Sequence, residues 1–108
     1  MSNKIYHVFW TRTAQQDLKR IIDYIAADSE DRAKKIYRAI RQKTTDLKSM
    51  PQRGRIVPEL KYFSILIYRE LISPPWRIIY KLENDRVFVL AVIDGRRNFE
   101  DILLDRFI

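Results

Sequence analysis

The chain has 108 residues, 46% hydrophobic and 32% charged, the balance of one globular domain (1–108) with a single modest core, not of a disordered chain or a two-domain protein. A formal charge of +7 points to an anionic partner, while the lack of cysteine and the single histidine exclude a disulfide framework and a thiolate metal site. No apolar run approaches the ~18 residues of a membrane span, and the opening MSNKIYHVFW lacks the apolar core and cleavage site of a secretory leader, so no membrane contact and a cytoplasmic location are expected.

In chain order, Ile5 to Trp10 (IYHVFW) is short, β-branched and aromatic, and reads as a first strand. Its His7 is either a general acid or base, since imidazole titrates near neutrality, or a strand-edge residue with no carboxylate nearby to orient it. From Thr13 the period changes to that of a helix. Ala14, Leu18, Ile21, Ile22 and Ile25 form an apolar stripe, with Asp17, Lys19, Arg20 and Asp23 left toward water. Thr13 followed by Gln16 suggests a capping box. Asp28 or Ser29 then breaks the helix and caps the next, whose first turn carries Glu30 and Asp31. Ala33, Ile36, Tyr37, Ile40, Thr44 and Leu47 make the second stripe, and the short break predicts an antiparallel helical hairpin.

Between positions 32 and 61 ten Lys and Arg face only Asp46 and Glu59, so nearly all the excess charge lies on the second helix and the loop after it. That block is either a surface for an anionic partner or a well-solvated helix face. Met50-Pro51 ends the helix. In the following turn, Arg53-Gly54-Arg55 fits an auxiliary phosphate contact, glycine allowing close approach, or an ordinary structural turn. Ile56 to Leu60 leads into the sheet.

Ile65 to Arg97 reads ILIYREL, ISPP, WRIIYKL, ENDR and VFVLAVIDGRR: three strand-like runs separated by turn signals, the pattern of an antiparallel meander. Alternation places Trp76, Ile78, Tyr80 and Leu82 on one face of the middle run and Arg77, Ile79 and Lys81 on the other. One face is expected to hold the core and the other to present cations, Arg77 pointing outward. The bland alternative pairs Arg77 with Glu70 or Glu83 across the sheet. Asn98 is placed to cap a last helix with Glu100 and Asp101 in its first turn. Its Phe99, Ile102, Leu103, Leu104, Phe107 and Ile108 either pack on the sheet or form a sticky surface.

One histidine, no cysteine and no carboxylate cluster leave no metal site, and there is neither a nucleophile triad nor a Gly-rich phosphate cradle. No cofactor is expected. What remains is arginine with a few tyrosines, able to stabilise charge on a phosphate but poor at moving protons.

YREL, WRIIYKLEND and VFVLAVIDGRR resemble the sheet signature of the RelE/ParE superfamily of bacterial type II toxins, and TAQQDLKRIIDYI with the PxRGRxVPEL connector extends the resemblance over nearly the whole chain. It implies an α+β fold of order β-α-α-β-β-β, a helical hairpin on a twisted antiparallel sheet, with a short C-terminal helix. It also implies a toxin held inactive by a cognate antitoxin in a toxin–antitoxin hetero-oligomer; the charge map and the apolar tail add the expectation that an acidic disordered segment of the antitoxin folds on Arg38, Arg41, Ile102, Leu103 and Phe107. RelE-like mRNA interferases carry basic residues in the meander and a tyrosine or histidine shortly after the last strand. Here Arg77 and Arg96-Arg97 match, but NFEDILLDRFI holds neither residue. The resemblance is therefore closer to the ParE branch, whose target is DNA gyrase, with Arg53, Arg55, Arg69, Arg77, Arg96 and Arg97 as target-binding residues. The alternative is ribosome-dependent mRNA cleavage using Arg77 and Arg97 with Glu70 and Tyr68 as proton-transfer groups. A third reading is a non-toxic basic nucleic-acid-binding module.

Overall fold

The computed structural model describes residues 4–108; the first three residues of the stretch read above as lacking a leader lie outside them. The elements are β1 (His7–Trp10), α1 (Arg12–Ala26), α2 (Glu30–Thr45), β2 (Arg55–Ile56), α3 (Pro58–Lys61), β3 (Tyr68–Ser73), β4 (Trp76–Glu83), β5 (Arg86–Asp94) and α4 (Phe99–Phe107). Among the described residues no helix is long and apolar enough to cross a membrane.

The helical hairpin forms as expected, with one change of cap. Thr11, in an extended conformation, accepts a hydrogen bond from the Ala14 N–H at 3.2 Å, so α1 starts two residues before the predicted Thr13 box. Ser29 rather than Asp28 caps α2, its Oγ accepting from the Arg32 N–H, and Glu30 and Asp31 complement the helix dipole.

The sheet order is β1-β5-β4-β3-β2. From β2 to β5 every pair is antiparallel, but β1 lies parallel to β5, with Val8 opposite Val87 and Trp10 opposite Val89. The expected meander is therefore the antiparallel part of a mixed sheet. The first predicted strand segment of the meander also starts later than Ile65. After α3 the backbone turns through Ser64 at φ 62°, and residues 62–67 form a loop before Tyr68 enters the sheet.

Both faces of this sheet are covered. On one, Ala14, Leu18, Ile40 and Leu47 of the helical layer pack on Leu71, Ile78, Tyr80, Val87, Val89 and Val92. On the other, Leu60 of α3 and Phe99 and Leu103 of α4 pack on Ile79, Ala91 and Ile93. At roughly 1.5–3 kcal/mol per fully buried large side chain, that second cluster is a strong reason for α4 to stay on the sheet. Of the two readings of the C-terminal apolar residues, packing describes Phe99 and Leu103, while Leu104 and Ile108 remain exposed.

β5 carries an extra residue, Leu90, where the pairing steps from Ile79–Ala91 to Tyr80–Val89. Beyond this bulge β5 runs past the end of β1, and its Val92 N–H is taken by the Asp17 carboxylate at 3.0 Å. Asp17, expected toward water with Lys19, Arg20 and Asp23, does not face it. It is 3% exposed and also receives both terminal nitrogens of Arg106, at 2.7 and 2.9 Å. One carboxylate thus ties α1, β5 and α4 together. The hydrogen bonds to Asp17 raise the Arg106 pKa, burial opposing them.

Candidate functional site

The central residues of the predicted cationic face form a closed network. Arg55 of β2 is the direct cross-strand partner of Glu70 in β3. Arg77 of β4, paired with Ile72, reaches Glu70 along the diagonal of the same face. The Glu70 side chain is fully buried and accepts Arg55 Nε at 2.7 Å, Arg77 Nε at 2.7 Å and Arg77 Nη2 at 2.8 Å. The outer edge of Arg77 donates to both Glu59 oxygens at 2.7 Å. The Phe99 ring covers its face, the guanidinium carbon 3.6 Å from the ring centroid. Gly95 leaves room for this side chain, since a Cβ there would meet Arg77 Cδ at 2.9 Å.

The Arg77 side chain is therefore only 13% exposed, and the expectation that it points outward is corrected. The physical reason is that α3 and α4 close this face, and a guanidinium under them persists only with carboxylates supplied to it. Burial works against its charge, but the hydrogen bonds it donates to Glu59 and Glu70 outweigh that and push its pKa above the ordinary arginine value. The same bonds hold Glu59 below the usual carboxylate range despite partial burial. Two cations and two anions leave the network formally neutral.

Arg69 and Gly54 serve the connector before the sheet. Tyr80, fully buried, donates its hydroxyl to the Pro51 carbonyl at 2.8 Å and accepts the Gly54 N–H at 2.9 Å. Arg69 donates to the Gly54 carbonyl at 2.8 Å. A Cβ on Gly54 would sit 2.5 Å from the Glu70 carbonyl oxygen, so the close approach this glycine permits is to β3 itself. Burial raises the Tyr80 pKa, with the Gly54 N–H pulling the other way.

The other sequence-predicted residues are dispersed. Tyr68 packs its ring 4.9 Å from that of Phe107. Leu103 is 1% exposed and Ile102 and Phe107 are half-buried, so for these three the packed alternative describes the structure. Arg38 and Arg41 are exposed on α2, Arg41 lying over the Trp10 ring at 4.8 Å. Arg53 reaches Asp46 at 3.3 Å near the surface. His7 is exposed on β1. Arg96 chelates Asp94, whose pKa is held low by that bond first of all. Arg97 is exposed and makes no ion pair among the described residues.

Arg96 and Arg97 border a cleft of about 550 Å³ between the turn of the helical hairpin, the end of β5 and α4. Arg20, Arg32 and Arg106 complete its cationic lining, with Tyr24 and Trp76 among its apolar walls. Sequence reasoning missed Arg20, Arg106 and Asp17, and counted Arg32 only within the basic block. For Asp17 a signal existed, because it stands between Ala14 and Leu18 on the buried stripe. The others come together only through tertiary contacts.

The arrangement can bind anionic surface at the cleft. Among the described residues the carboxylates beside Arg77 are committed to arginine: Glu70 accepts from Arg55 and Arg77, and the partly exposed Glu59 accepts from Arg77, while the half-buried Tyr68 packs against Phe107 of α4.

Comparison with known proteins agrees with this geometry. The family described as the ParE toxin of the type II toxin–antitoxin system parDE matches residues 8–99. Among solved structures, the chain is similar to one from the chromosomal ParDE toxin–antitoxin system of P. aeruginosa. The identity is 20% and the TM-score 0.69, over 84% of this chain and 97% of the other. It is also similar to a chain of the RelBE2 toxin–antitoxin complex from Mycobacterium tuberculosis, at 20% identity and TM-score 0.59, over 83% and 98% of the two chains. At such identities the likeness is one of fold. No curated protein sequence gives a match.

Proposed function

The chain belongs to the ParE toxin family of type II toxin–antitoxin systems, and from that premise we propose that it inhibits DNA gyrase by binding and is neutralised by a cognate antitoxin. The observation that carries the choice of binding over mRNA cleavage is the closure of the second sheet face. Metal-free RNA cleavage needs a group to take a proton and another to return it. Glu70 and Glu59 have their oxygens committed to arginine, and the half-buried Tyr68 packs against Phe107 of α4. Binding makes no such demand, and the cations at the rim of the cleft, Arg96 and Arg97 with Arg20 and Arg32, are exposed for it.

The antitoxin reading rests on α2, where Arg32, Lys34, Lys35, Arg38 and Arg41 are exposed along one helix, suited to an acidic segment that orders on contact. The test is a supercoiling assay with purified gyrase and relaxed plasmid. Added protein stops supercoiling or traps cleaved DNA, and prior incubation with the antitoxin restores activity. Unimpaired supercoiling at a large excess of folded protein refutes the proposal.

A further inference from the structure

We infer that the groove between α3 and α4 is a second, chemically opposite docking surface, which takes a basic amphipathic segment of a partner protein other than the acidic antitoxin. The groove encloses about 410 Å³, with Leu60 and Leu103 inside and Tyr62, Phe63 and Leu104 around it. Tyr62 is 85% exposed and Phe63 52%, their rings edge to face at 5.3 Å. The same loop leaves Leu66 and Ile67 exposed, and Ile108 is exposed at the far end of α4. Exposed aromatic side chains around an apolar recess mark a site of protein contact.

Charge decides what fits. Among the described residues no Lys or Arg lines this groove, although Lys61 stands exposed between Leu60 and Tyr62 and the chain as a whole is at +7. Its carboxylates are Glu59, already compensated by Arg77, and Glu100, which is exposed and makes no ion pair among the described residues. Asp101 and Asp105 add exposed negative charge along α4, and the helix's one cation, Arg106, turns away to Asp17. The carboxylates on α4 favour a cationic segment here, while the basic α2 draws an acidic one. A segment carrying an apolar side chain flanked by Lys or Arg meets the reverse pattern: an aromatic-walled recess with a carboxylate at its edge. The two surfaces let the chain engage partners of opposite charge. The inference does not depend on gyrase being the target.

An NMR titration of the 15N-labelled chain with an amphipathic Lys/Leu peptide, and separately with its Glu/Leu counterpart, tests this. A cationic peptide has little attraction to a +7 chain elsewhere, so binding by the Lys/Leu peptide is discriminating. The expected result is saturable shifts confined to Leu60, Tyr62, Phe63 and residues 99–104. Affinity should fall at least tenfold in Glu100→Lys and in Tyr62→Ser, both at exposed positions, and hold in Arg97→Ala. No saturation, shifts spread over the surface, or equal binding of the Glu/Leu peptide overturns the inference. Concentration-dependent shifts at the same residues without peptide would assign the groove to a second copy of the chain and overturn it equally.

Discussion

Arg77 is an internal counter-ion, and that changes what its substitution should do. Removing it leaves Glu70, 1% exposed, with Arg55 alone and frees Glu59 from its only bidentate partner. Breaking a buried pair by deleting one member costs about 3–5 kcal/mol, so Arg77→Ala should lower Tm sharply in thermal unfolding, with any loss of toxicity following stability. Arg97→Ala, at an exposed side chain, should leave Tm within error. Glu59 adds a pH signature. Its folded pKa lies below the ordinary 4.5 because of Arg77. The stability from that pair is therefore complete above about pH 4.5 and fades as pH falls further, a loss that Arg77→Ala should lack.

Tyr80 gives the opposite sign. Tyr80→Phe strands the buried Gly54 N–H and the Pro51 carbonyl, at a cost of about 1–3 kcal/mol by denaturant unfolding at neutral pH. Because burial raises the phenol's pKa above the ordinary 10.0, the wild-type advantage holds below that pH and narrows as pH rises beyond it. Alternation alone placed Arg77 and Tyr80 on opposite sheet faces, and that was correct. What alternation could not supply was the cover on the arginine side, which comes from α3 and α4.

At the scale of elements, most of the fold was legible. Two apolar stripes made the hairpin, period-2 runs made the meander, and Phe99, Leu103 and Phe107 at i, i+4, i+8 mark the inner face of α4. The direction of β1 was not legible. An alternating run identifies a strand but carries no information on whether its neighbour runs parallel, and β1 finds its partner in β5 at the far end of the chain. The C-terminal helix was seen as a helix, but its anchor was not, because Arg106 and Asp17 are 89 residues apart. Arg106→Ala should weaken that anchor, leaving a buried carboxylate with only the Val92 N–H and the distant Arg20. Hydrogen exchange should then quicken in α4 well before it changes in α2. Uniform protection across both helices would mean the ion pair does not hold α4.

The whole molecule is electrically divided. The basic block spans α2 and the connector, while α4 bears three acids against one base. An acidic antitoxin segment approaching α2 should therefore associate faster at low salt, and stopped-flow rates should fall as ionic strength rises. A rate indifferent to salt would remove α2 from the encounter. The broader claim is that this toxin acts through surfaces, with its sheet-face arginines holding the fold and its rim arginines facing the partner. The most direct measurement is mapping of message 5′ ends in a translating extract, run beside a gyrase supercoiling reaction at the same toxin concentration. The account predicts intact messages and arrested supercoiling; messages cut only when ribosomes are present, with gyrase running unimpeded, would contradict it.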